Sequence, residues 1–171
     1  MNTPPLGDSR PRRGRHRAPL AWAVAACVLV LDQSSKLWVL QHLPTGLAHP
    51  VLPGLLQLRL VHNTGAAFSL FTGSTPLLGL VSLGVCLALA LLLWRRPPQA
   101  LAIALALGFL LGGAAGNGLD RWRLGSVTDF LELVPVSFPV FNLADVAINL
   151  AVLCFGLDTL AGLRQGRGRD G

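Results

Sequence analysis

FNLADVAIN, residues 141–149, carries two opposed patterns. Phe141, Leu143, Val146, Ala147 and Ile148 read as an apolar helix. Asn142, Asp145 and Asn149 place a carboxylate and two carboxamides in the same run. An ionisable group inside an apolar helix costs about 2.5–3.5 kcal/mol even on a lenient membrane-insertion scale, so such a group is retained for a use. The stretch therefore reads as the polar mouth of a membrane helix, and Asp145 as a functional residue.

Composition supports a membrane reading. The chain has 171 residues, 52% hydrophobic and 13% charged, with a formal net charge of +6. One domain fits that length. The excess charge is clustered: Arg10, Arg12, Arg13, Arg15 and Arg17, then Arg95 and Arg96, then Arg164, Arg167 and Arg169. These blocks flank apolar runs. They describe the orientation of a membrane protein rather than a nucleic-acid surface.

Four spans follow at Leu20 to His42, Pro76 to Trp94, Ala100 to Asn117 and Val140 to Leu160. Each approaches the roughly 20 residues that cross a bilayer core. Backbone groups in lipid must bond within their own segment, so the spans are helices. The Arg95-Arg96-Pro97-Pro98 turn separates the second from the third, because proline bars helix there. The fold expected is an all-α integral membrane protein with a small extracytoplasmic sheet. The chain divides into a basic tail over 1–19 without fixed structure, a membrane unit over 20–162 and a second basic tail over 163–171. Arginine bias puts both termini in the cytoplasm, with 43–75 and 118–139 facing outward. A basic prelude before an apolar run also reads as a cleavable signal. Here the run continues past the small residues 24–27, which favours a retained helix.

Between the first two spans the period changes. Leu56, Leu58 and Leu60 alternate with Gln57 and Arg59, a strand pattern. His62-Asn63-Thr64-Gly65 offers turn residues, with Ala66 to Phe71 as a return strand. Val127 to Val134 has strand character as well.

The polar residues converge on one level. Asp32 lies twelve residues into the first span, about 18 Å at 1.5 Å per residue. Lys36 is one turn further on the same face, placed for an ion pair with Asp32. Asn117, Asp120 and Arg121 end the third span, and Asp120 with Arg121 is expected to form a structural pair. Asn142 and Asp145 open the fourth span, and Asn63 and Asp129 lie in outer segments. Asn149 reads as a helix–helix hydrogen bond. His42, His49 and His62 read as interfacial loop residues. Gly112-Gly113-Ala114-Ala115-Gly116 allows close helix approach, which would bring Asn117 near Asp145. Asp158 lies far from this cluster.

Asp129 and Asp145 have no basic residue within one helical turn. Two close carboxylates cannot both ionise readily, so they share a proton and suit acid–base hydrolysis of an amide. Ser35 and Lys36 do not make a nucleophile pair, since neighbouring helical residues point about 100° apart. No zinc spacing is present, and neither metal nor organic cofactor is needed. Cys27, Cys86 and Cys154 read as buried, inert thiols. A non-enzymatic transporter or lipid-binding subunit would also bury polar residues. A proton path, however, would spread acids across the membrane.

Five blocks now resemble one family. They are Asp32-Gln33-Ser34-Ser35-Lys36, Asn63-Thr64-Gly65-Ala66-Ala67-Phe68, Gly112-Gly113-Ala114 with Gly116-Asn117 and Asp120-Arg121, Val127-Thr128-Asp129-Phe130, and Phe141-Asn142-Leu143-Ala144-Asp145. In order and spacing they look like the bacterial lipoprotein signal peptidases, or signal peptidase II. The resemblance implies an aspartic endopeptidase of the cell inner membrane that cuts prolipoproteins before a diacylglyceryl-cysteine. It implies four membrane helices with an outer sheet cradling the substrate, and inhibition by globomycin. By motif match Asp129 and Asp145 take the catalytic places. Asn63, Asn117, Arg121 and Asn142 support or line the site, and Asp32, Lys36 and Asp120 stand beside it. Thr128 stands where the family often has an apolar residue.

Overall fold

The computed structural model describes residues 16–65 and 73–167. Its elements are α1 (Ala18–His42), β1 (Ala48–Leu52), β2 (Leu56–Asn63), α2 (Thr75–Arg95), α3 (Leu101–Leu124), β3 (Val127–Leu133) and α4 (Leu143–Arg167). Four helices are long and apolar enough to cross a membrane. Pro19 and Pro76 sit in the first turns of α1 and α2, where a missing N–H costs no helical bond. Nothing breaks α3 at Asn117, so it runs two turns beyond the expected span. It stops at Gly125, whose φ of 72° is the left-handed conformation glycine adopts readily.

α3 is the central helix and packs against each of the others. Small residues make this possible. A Cβ added at Gly112 would fall 2.7 Å from the Ala25 carbonyl of α1, and one at Gly113 would fall 2.7 Å from the Ala144 carbonyl of α4. Two adjacent glycines thus hold two different neighbours at backbone contact. Ala21, Ala25, Leu93, Ala104, Leu107 and Leu111 form the core at one end of the bundle. At the same end the Arg17 N–H donates to the Pro98 carbonyl at 2.7 Å, tying the start of α1 to the α2–α3 turn. α2 and α4 present Leu80, Leu87, Val152, Leu157 and Leu160 outward, as lipid-facing helices do. Cys27 is exposed and the other two cysteines are half-buried, so the expected burial is not met. Their apolar surroundings are in part the lipid face of the helices.

The three-stranded antiparallel sheet, in order β1-β2-β3, caps the other end. Val39, Leu60 and Phe130 form the apolar contact that seats it on α1. β2 follows the alternation in the sequence, but its hairpin partner is β1, through a turn around Gly54 at φ 74°. The expected return strand at 66–71 lies outside the described residues. β1 was not legible because Pro50 interrupts it. Proline is tolerated because β1 is an edge strand. His49 and His62 accordingly lie in strands, and His42 in the last turn of α1 stacks on Trp38 at 5.0 Å.

The free edge of β3 is closed by Phe141, two residues before α4. Phe141 N–H donates to the Leu131 carbonyl at 2.9 Å, and Phe141 carbonyl accepts from Leu131 N–H at 2.8 Å. This clasp fixes the start of α4 beside β3, and with it Asp145 beside Asp129.

Candidate active site

Asn142 and Asp145 form a reciprocal cap on α4. The Asp145 N–H donates to Asn142 Oδ1 at 3.0 Å, and the Asn142 N–H donates to Asp145 Oδ2 at 3.1 Å. This is capping-box geometry with aspartate in place of the usual Glu or Gln. It resolves the opposed patterns of FNLADVAIN: the polar residues occupy the first turn, where free N–H groups need acceptors. A third N–H of that turn, from Ala144, donates to Asp32 Oδ1 of α1 at 2.9 Å.

Asn142 is fully buried, and its side-chain amide reaches the second carboxylate, donating to Asp129 Oδ1 at 2.6 Å. One residue therefore touches both acids. Asn63 donates to the other oxygen, Asp129 Oδ2, at 3.0 Å, while its own Oδ1 accepts the Gly65 N–H at 2.9 Å. Asn63 is a turn residue and a site residue at once. Asn117 donates to Asp145 Oδ1 at 2.9 Å. Neither acid lies in an ion pair among the described residues. Neutral amides hold both, which leaves their charge open to adjustment.

Asp129 is 2% exposed. Burial raises its pKa to about 6 from an ordinary 3.8, and the charge of Asp145 adds to the rise. The amides of Asn63 and Asn142 and the charge of Lys36 act the other way. Burial wins, because amide donors return only part of the lost hydration.

The true ion network lies behind this pair. Lys36, 2% exposed, places its ammonium 2.9 Å from Asp32 Oδ2 and 3.1 Å from Asp120 Oδ2, and donates to Asn117 Oδ1 at 2.9 Å. Three donors meet three acceptors. The expected Asp32–Lys36 pair is present, but inside the bundle. The expected Asp120–Arg121 pair is not formed. Adjacent helical residues diverge, so Asp120 turns inward to Lys36 while Arg121 turns to the cavity. Arg121 donates to the carbonyls of Asn117 at 3.2 Å and Gly65 at 3.1 Å. Asp120 Oδ2 also accepts the Thr128 N–H at 3.0 Å, which fixes β3 against α3.

Gln33 was missed by the sequence reading. Its amide donates to Asp32 Oδ2 at 3.2 Å, the Gly116 carbonyl at 3.2 Å and Asp120 Oδ1 at 3.0 Å. The available signal was its place beside Asp32 in the all-polar run Asp32–Lys36. Thr128 is wholly buried and its hydroxyl has no partner among the described residues. An unpaired buried hydroxyl costs about 1–3 kcal/mol. Thr128→Val is therefore expected to raise the melting temperature of the detergent-solubilised protein. An unchanged or lower value would contradict the unpaired state.

Asp129, Asp145, Asn63, Asn117 and Arg121 line one cavity of about 1200 Å³, which continues between α2 and α4 past Val85, Leu110 and Leu153. No group of three or more potential metal ligands occurs among the described residues.

A bundle of membrane-length helices with paired acids at the head of an apolar cleft defines a multi-pass membrane protein with a carboxylate site. The chain belongs to the signal peptidase II family, whose model (Peptidase_A8, "Signal peptidase (SPase) II") matches residues 24–161. It is 56% identical over 148 residues to the lipoprotein signal peptidase of Parasynechococcus marenigrum (strain WH8102), covering 83% of this chain and 89% of that one. It is 57% identical over 137 residues to that of Synechococcus sp. (strain RCC307), covering 80% and 91%. A solved bacterial membrane enzyme superposes with a TM-score of 0.78 at 26% identity, covering 84% of this chain and 88% of that one. The protein is thus a membrane protease of the aspartic class.

Proposed function

We propose that the protein removes signal peptides from prolipoproteins, cutting before a cysteine that carries diacylglycerol, with Asp129 and Asp145 as the catalytic pair. The observation that carries this reading is Asn142, which bonds both carboxylates at the rim of the cleft. Asp129 holds the shared proton, in keeping with its burial and raised pKa. Asp145 acts as the base. It sits in the first turn of α4, where the helix dipole favours negative charge. Asp145 takes a proton from water as the hydroxyl adds to the scissile carbonyl carbon, and Asp129 gives its proton to the carbonyl oxygen. Return of a proton to the amide nitrogen then releases the signal peptide. Asn63, Asn117 and Asn142 hold the acids in place, Arg121 faces the substrate, and Asp32, Lys36 and Asp120 brace the site from behind.

Both termini lie in the cytoplasm of a bacterial cell whose inner membrane holds the protein, and the acids lie near the outer leaflet. The positive Arg95–Arg96 turn and the opposite placement of the sheet support that orientation. The Arg-rich N-terminal extension of about 19 residues is dispensable for catalysis, and globomycin binds in the cleft. The substrate's acyl chains lie in membrane lipid against the protein. A transporter is disfavoured by the collection of acids at one level.

Lipid on the substrate contributes about 0.8 kcal/mol per buried CH₂, so four such groups give roughly 200-fold selectivity. The test compares one precursor with and without its diacylglyceryl group in liposomes. Preference for the lipidated form on that order is expected. Equal cleavage of both would refute the substrate assignment.

A further inference from the structure

Asn149 is left over from the catalytic arrangement. It lies one turn below Asp145 on α4, about 6 Å deeper into the membrane. Its side chain is exposed and lines the cleft rather than meeting another helix, which corrects the helix–helix reading. One amide hydrogen goes to the Asp145 carbonyl at 2.9 Å. The second amide hydrogen and Oδ1 have no partner among the described residues. The walls around it are apolar: Val85 of α2, Leu110 and Ala114 of α3, Leu150 and Leu153 of α4. Ser82 also lines the cleft, but its hydroxyl donates to the Leu78 carbonyl of its own helix at 3.0 Å.

A free donor and a free acceptor on one planar amide match the N–H and C=O of one residue in an extended backbone, which point to the same side. A helical peptide in the cleft has no such groups to offer, since its backbone is bonded internally. A peptide cut at the dyad must be extended there, and an extended segment in an apolar cleft exposes unpaired groups that each cost several kcal/mol. We infer that Asn149 is a substrate-positioning residue that pairs with the extended backbone of the signal segment about two residues before the scissile bond. The offset follows from about 6 Å of depth at about 3.3 Å per extended residue. This rests on the proposed peptidase function and adds a determinant for the signal-peptide side of the cut.

The test uses two lipidated fluorogenic substrates in liposomes. One carries the full signal segment, and the other begins at the residue before the scissile bond. For Asn149→Leu, the ratio of kcat/KM on the long substrate to that on the short one is expected to fall about tenfold, chiefly through KM. Asn149→Ala repeats the comparison if leucine disturbs insertion. An unaltered ratio overturns the inference, whether both substrates are cut as before or both lose equally. Equal loss would place Asn149 in support of Asp145 instead. Asp129→Asn separates the two readings. If it still cuts either substrate at the normal rate, the catalytic pair is wrong, whatever Asn149 does.

Discussion

Asp129→Asn is expected to lower cleavage of a lipidated precursor by about 10²–10⁴-fold, the range that a positioned proton donor contributes. The same substitution stabilises the fold at neutral pH. Folded Asp129 keeps its proton up to about pH 6, whereas in the unfolded chain it loses it near the ordinary value of 3.8. Between those values folding takes up a proton, so stability falls as pH rises. Above pH 6 the buried charge costs up to about 3 kcal/mol. Asparagine carries no such charge and still accepts one amide bond. Melting curves of the detergent-solubilised variant are therefore expected to exceed the native protein's at pH 8, with the advantage vanishing toward pH 4. A variant less stable than the native protein at both pH values would show that Asp129 is held as an ion.

Lys36→Met is expected to have a large structural effect. It leaves Asp32 and Asp120 facing each other in the bundle without their ammonium, and strips a donor from Asn117. Removing one partner of a buried ionic group costs about 3–5 kcal/mol, since the charge left behind stays desolvated. Asp32 also anchors the Ala144 N–H of α4, so the damage spreads to the first turn that carries Asp145. Adding Asp32→Asn to Lys36→Met removes one stranded charge and should recover part of the loss in melting temperature. No recovery would mean that the lysine's aliphatic packing, not its charge, stabilises the bundle.

The four spans, β2, β3 and the nine polar residues singled out were legible in the sequence, for one physical reason. In an apolar chain each polar residue is costly, so its presence is informative wherever it stands. Edges and pairings were less legible. Pro50 hid β1, because proline argues against a strand unless that strand is known to be an edge. Asp120 was assigned to the adjacent Arg121 rather than to Lys36, 84 positions away, because no local rule reaches that far. Gln33 passed as part of a motif, although its amide joins α1 to α3.

By itself the sequence determined that the chain crosses a membrane four times and that acids and amides lie at one level. Hydropathy and helix period are local properties, and each residue carries its own share. Only the tertiary structure decided which acid faces which. The glycine contacts of α3, the Phe141 clasp on β3 and the Lys36 hub bring α4 and β3 together. Such a meeting depends on close packing between distant segments, and no single segment specifies it.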